Sequence, residues 1–94
     1  MPTSSDINTA TVRVTLPDDV DLHARPAATF VRAAMQFSAK LYVAVGDREV
    51  DAKSLLSVLS LGARRGTTMC LRASGDDAAT ALDALSQTIA NLKE

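Results

Sequence analysis

Apolar side chains recur along this 94-residue chain with a period of two in some stretches and near 3.6 in others, and the stretches come in a fixed order. That order constrains the fold more than any other feature. "TVRVTL" (11–16) alternates, with Val12, Val14 and Leu16 on one side, as a half-buried strand does. "PDDVD" (17–21) carries turn chemistry. From Ala24 to about Phe37 the spacing turns helical, with Ala27, Phe30, Val31 and Ala34 in a stripe and Arg32 outside it. "KLYVAV" (40–45) alternates again, Gly46-Asp47 forms a hairpin-type turn, and "REVDA" (48–52) returns as a strand. Ser54–Leu61 reads as a short helix closed by Gly62, and "TTMCLRA" (67–73) as a further strand with Met69, Leu71 and Ala73 inward. Ser74-Gly75-Asp76-Asp77 makes a turn and helix cap. A last helix then runs from Ala78 to Leu92 on a stripe of Ala78, Leu82, Leu85, Ile89 and Leu92. The result is βαββαβα, an α+β arrangement: an antiparallel sheet with helices on one face. Periodicity alone leaves several such two-layer folds open, the ferredoxin-like one among them. Residues 1–9 read as a flexible extension, and 10–94 as a single domain.

Composition excludes several classes of function. Lys and Arg number 10 against 11 Asp and Glu, so the net charge is −1 and no nucleic-acid footprint is expected. The single cysteine, Cys70, can form no internal disulfide and reads as a small packing residue. One His and one Cys leave a His/Cys metal cluster short of ligands, so no metal is expected. No apolar run reaches membrane-spanning length, and "MPTSSDINTA", without a charged n-region and apolar core, does not read as a secretory signal. Membrane insertion is therefore not expected, and the expected location is the cytoplasm.

The chemistry concentrates in "DLHARPAATF" (21–30). His23 is the only histidine, and it falls at the N-cap of the first helix with Ala24 and Arg25 in the first turn. Pro26 suits a helix start, where its missing N–H costs little. A helix start offers unpaired backbone N–H groups and the positive end of the helix dipole, which together favour an anion. The Arg25 guanidinium suits phosphate oxygens, and Arg32 lies seven residues on, on roughly the same face. A neutral imidazole is a nucleophile near neutral pH. These residues together fit an imidazole that takes a phosphoryl group and gives it up. They fit equally a surface histidine that happens to precede a helix, and Asp18, Asp19 and Asp21 would repel an incoming anion.

"LHARPAA" (22–28) resembles the phosphorylation-site motif of the HPr family, the histidine-containing phosphocarriers of the bacterial phosphoenolpyruvate:sugar phosphotransferase system. "DAKSLLSVLSLGARRG" (51–66) resembles that family's segment around a regulatory serine and its short helix. The inferred element order is also the family's, so the resemblance spans roughly residues 11–92. It implies an HPr-like open-faced two-layer sandwich, with a four-stranded antiparallel sheet and three helices on one face. It implies that His23 accepts phosphate on Nδ1 from phosphorylated enzyme I and donates it to an enzyme IIA component. Arg25 would stabilise the phosphoryl group, and Ala24 would matter through its backbone and its smallness. The protein would be a monomeric carrier without independent turnover and without a cofactor. Three features depart from the family pattern: Asp21 stands where Gly usually precedes Leu-His, the nine-residue extension ahead of the first strand is longer than usual, and Ser57 stands where Gly often lies three residues after the serine. An aspartate there brings bulk and charge beside the histidine.

Ser54 reads first as an ordinary N-cap. The resemblance adds a second role, as the target of a dedicated HPr kinase/phosphorylase in some bacteria. In the short helix, apolar positions spread over roughly 220°, wider than one buried stripe needs. Val58 and Leu61 can face the core, which leaves Leu55, Leu56 and Leu59 as an exposed patch. In the family this patch docks enzyme I and the IIA components, and Arg25, Arg32, Arg64 and Arg65 would form its basic rim. Three further functions stay open at this point. One is an HPr-like regulatory binding module switched at Ser54, and another is a carrier of the nitrogen-related or dihydroxyacetone-kinase branch. The third, a small α+β domain with an unrelated binding role, would show no phosphorylation at all.

Overall fold

The computed structural model describes residues 9–93. Seven elements follow in the order expected: β1 (Thr9–Thr15), α1 (Ala24–Ala34), β2 (Lys40–Val45), β3 (Arg48–Asp51), α2 (Leu55–Ser60), β4 (Thr68–Ser74) and α3 (Ala78–Ala90). The strands form one four-stranded sheet in the order β1-β4-β2-β3, antiparallel throughout. Strand alternation decides which face is covered. Val14, Leu41, Val43, Met69, Leu71 and Ala73 are buried, whereas Thr11, Arg13, Thr15, Lys40 and Thr68 on the opposite side are exposed. All three helices lie over the buried side, making two layers around one core. On the open side, Arg72 forms a two-point ion pair with Glu49 at 2.7 and 3.1 Å and lies 4.3 Å from the Tyr42 ring centroid. Cys70 is half-buried on the same strand.

The helix stripes are as the spacing predicts. Ala27, Phe30, Val31 and Ala34 of α1 are buried, as are Ala78, Leu82, Leu85 and Ile89 of α3 and Leu92 just beyond it. Most boundaries shift by a residue or two from the sequence expectation, and four of the shifts have a visible cause or consequence. Thr9, placed in the extension, is the first residue of β1 and pairs with Ser74; the rest of that extension lies outside the described residues. β3 ends at Asp51, although the Ala52 N–H still donates to Leu41 O at 2.9 Å. α1 stops at Ala34 rather than near Phe37. The N–H groups of Gln36 and Phe37 turn back to Ala33 O and Ala34 O in a tighter turn. Those of Ser38 and Ala39 donate to the Asp77 carboxylate at 2.9 and 2.8 Å. α3 likewise ends at Ala90, and Leu92 N–H reaches Ile89 O.

Asp77 thus does something the sequence did not suggest. It stands at the N-cap of α3, but its side chain makes no bond to that helix. Its carboxylate instead ties the α1–β2 connection to the β4–α3 turn, and the N–H of Ser38 holds its pKa below the usual carboxylate range. Gly75 makes the junction tight: its φ is +140°, and a Cβ there would lie 3.0 Å from the Ala39 Cα.

Candidate functional site

The loop after β1 places the histidine. Leu16 N–H donates to Thr67 O at 2.9 Å, and Gly66 N–H returns to Leu16 O at 3.2 Å, so this loop is stitched to the one that precedes β4. Val20 and Leu22 are buried, and Leu22 N–H donates to Ala63 O at 2.9 Å. His23 follows with extended backbone, and its carbonyl accepts Ala27 N–H at 2.8 Å, which starts α1. The N–H groups of Ala24 and Arg25 lie ahead of the first intrahelical bond, and Pro26 has none to satisfy. The imidazole makes no capping bond and its side chain is 72% exposed. The ring is therefore available to a partner and not consumed by the helix.

A hollow of about 420 Å³ beside it is lined by Leu22, His23, Ala24, Leu59, Gly62, Ala63 and Arg64. Gly62 closes α2 with φ of +60°, the left-handed conformation that glycine adopts at low cost. That turn carries Ala63 and Arg64 to the histidine. Of the expected site residues, the structure thus brings His23, Ala24, Leu59 and Arg64 together.

Two others lie elsewhere. Arg25 lines a different hollow, of about 580 Å³, between α1 and the end of α3, with Thr29, Gln87, Thr88, Asn91 and Lys93 among its walls. Arg32 is exposed in the last turn of α1, about 13 Å along the axis from His23. The seven-residue spacing puts it on one face with Arg25 but not at one end, so Arg32 does not join the histidine's hollow.

The short helix divides its leucines differently from the expected patch. Leu56 is 81% exposed and Leu55 38%. Leu59, expected beside them, is half-buried and packs against the core while lining the histidine's hollow. Val58 is buried and Leu61 half-buried, as expected. Ser54 is the N-cap of α2, and its hydroxyl accepts Ser57 N–H at 3.3 Å. Capping accounts for the serine locally.

Asp21 is better integrated than its sequence position suggests. Its Oδ1 accepts Arg65 N–H at 2.7 Å and lies 3.7 Å from Arg65 Nε, while Oδ2 lies 3.8 Å from His23 Nε2. The Arg65 N–H bond above all, then the charges of Arg65, His23 and Arg64, hold the Asp21 carboxyl below the usual range. The charge that looked like a liability at a phosphate site is thus committed to the 62–66 loop. No sequence signal marks a contact across 44 residues. Among the described residues no cluster of His, Cys, Asp and Glu could hold a metal ion, and no helix is long and apolar enough to cross a membrane.

Comparison with known proteins agrees with this geometry. Residues 10–91 match the family described as the PTS HPr component phosphorylation site. The chain is 35% identical over 82 residues to the phosphocarrier protein HPr of Buchnera aphidicola, covering 87% of this chain and 94% of that protein. Its structure superposes on the crystal structure of HPr-C-His from Thermoanaerobacter tengcongensis with a TM-score of 0.82 at 38% identity, over 86% of this chain and 91% of that one. It also superposes on the solution structure of Crh, the catabolite repression HPr of Bacillus subtilis, with a TM-score of 0.67 at 31% identity, over 89% of this chain and all of that one. With a family match that takes in both the helix-start histidine and the α2 segment, the chain belongs to the HPr family, the phosphocarriers of the phosphotransferase system.

Proposed function

We propose that His23 is the phosphoryl acceptor, taking the group on Nδ1 from phosphorylated enzyme I and passing it to an enzyme IIA component. One observation carries the reading: the chain's single imidazole stands exposed at a helix start, makes no capping bond, and borders a hollow that also holds an arginine. The positive end of α1 and the nearby guanidiniums favour the transferred dianion. Exposure keeps that stabilisation partial, because water screens it, and a carrier must release what it binds. Arg64 borders the same hollow as His23; Arg25 begins in the first turn and is long enough to swing toward a phosphate. The exposed Leu55 and Leu56 supply an apolar docking surface for either partner. The protein is a transfer intermediate with no turnover of its own.

The test is incubation with phosphoenolpyruvate and enzyme I, comparing the natural chain with His23→Ala. The expected product is a single acid-labile phosphate that is absent from the variant. Label retained by His23→Ala, or stable to acid, contradicts the carrier reading. A regulatory module that only binds a regulator would take up no label in this assay.

A further inference from the structure

We propose that Asp21 is a positioning residue that holds the imidazole proton of His23 on Nε2 and so leaves Nδ1 as the nucleophile; this deepens the carrier reading and rests on it. The Asp21 carboxylate is fixed independently of the histidine, because Oδ1 accepts Arg65 N–H at 2.7 Å. Oδ2 lies 3.8 Å from Nε2 of the ring. The backbone makes the arrangement local: His23 N–H donates to Asp21 O at 2.8 Å, a tight turn that brackets the buried Leu22. At 3.8 Å the contact is an ion-pair distance, longer than a hydrogen bond.

A neutral imidazole has one N–H and one lone pair. A carboxylate beside one nitrogen favours the tautomer with its proton there, which puts the lone pair on the other. The transfer then balances without a proton leaving the ring. The Nδ1 lone pair forms a bond to phosphorus, and the bond that held phosphorus on the donor breaks with its electrons returning to the donor atom. Nε2 keeps its hydrogen, and the positive charge that develops on the ring faces Asp21. Among the described residues, the other charged groups near the ring are Arg64, which borders its hollow, and Arg65, which Asp21 engages. Among the described residues, Asp21 is the one acidic group that pairs with the ring. A glycine, which the family resemblance leads one to expect at this position, carries no charge and could not exert such control.

The experiment is long-range proton–nitrogen NMR of the neutral His23 ring, in the natural chain and in Asp21→Asn. Asparagine keeps an oxygen for the Arg65 N–H and removes the charge. The ratio of Nε2–H to Nδ1–H tautomers is expected to fall by about two- to fivefold in the variant, the modest size of an exposed charged contact. An unchanged ratio overturns the proposal. The natural chain gives a second reading that needs no substitution. Raising salt from about 0.05 to about 1 M should move its ratio toward that of Asp21→Asn, because screening weakens an exposed pair; a ratio indifferent to salt overturns the proposal as well. Neither measurement involves phosphorylation. Failure of the carrier reading would appear as absent label on the natural chain, and failure of this one as an unmoved tautomer ratio.

Discussion

His23 and Ser54 occupy the same position in two helices of this chain, yet their side chains are used in opposite ways. Ser54 turns its hydroxyl inward and accepts Ser57 N–H, so the cap of α2 is complete. His23 makes no bond to α1 and stands open to solvent. One start uses its side chain to hold the helix, and the other leaves it for a partner. α1 can forgo a cap because it is held from beneath: Ala27, Phe30, Val31 and Ala34 are buried along its 11 residues. α2 has only six residues and a single buried side chain, Val58, so its cap carries more of the load.

The contrast can be tested through stability, the largest effect first. Phe30→Ala should cost about 3–5 kcal/mol, read from denaturant midpoints, because it empties the stripe that holds α1. His23→Ala at the same helix's start should stay within about 0.5 kcal/mol. If the two variants lost comparable stability, the idea that α1 needs no cap would be broken. Ser54→Ala should fall between them, at about 1 kcal/mol, the usual worth of a lost serine cap. An Ser54→Ala cost no larger than that of His23→Ala would erase the difference between the two starts.

The third helix start sharpens the comparison by pH. Asp77, too, gives its own helix no side-chain bond, but its carboxylate binds the N–H groups of Ser38 and Ala39. Its folded-state pKa lies below the ordinary 3.8, so the stability it adds is present above that value and is lost as pH falls through the lower folded one. Asp21 shifts in the same direction through Arg65. Urea unfolding followed downward from about pH 5 should therefore show a shallower loss of stability in Asp77→Asn than in the natural chain. Identical slopes would mean that the carboxylate is not the tie between the two connections.

Local patterns made much of this fold legible. Strand alternation fixed which side of each strand is buried, because the period of two leaves one choice once Val14, Val43 and Leu71 must go inward. The helix-start histidine, the Ser54 cap and the left-handed Gly62 were legible for the same reason, since each depends on neighbours within four residues. What escaped depends on distant partners. α1 ends at Ala34 while its apolar spacing runs on, because the next backbone donors turn back or are taken by Asp77, 39 residues away from Ser38. Asp21 looked repulsive because nothing near it in the chain announces Arg65. Leu59 looked exposed because the width of an apolar stripe does not say how deeply a six-residue helix sits. The arginines divide for a related reason: spacing placed Arg25 and Arg32 on one face, and only the fold shows that Arg64 is the guanidinium bordering the histidine's hollow.

The most direct measurement is phosphorus and nitrogen NMR of the protein after phosphoryl uptake from enzyme I and phosphoenolpyruvate. A carrier built on the open start of α1 predicts one phosphorus coupled to Nδ1 of His23, with the Ser54 hydroxyl unmodified. A phosphorus bonded to oxygen, or an imidazole that stays unmodified while the protein is labelled, would contradict it.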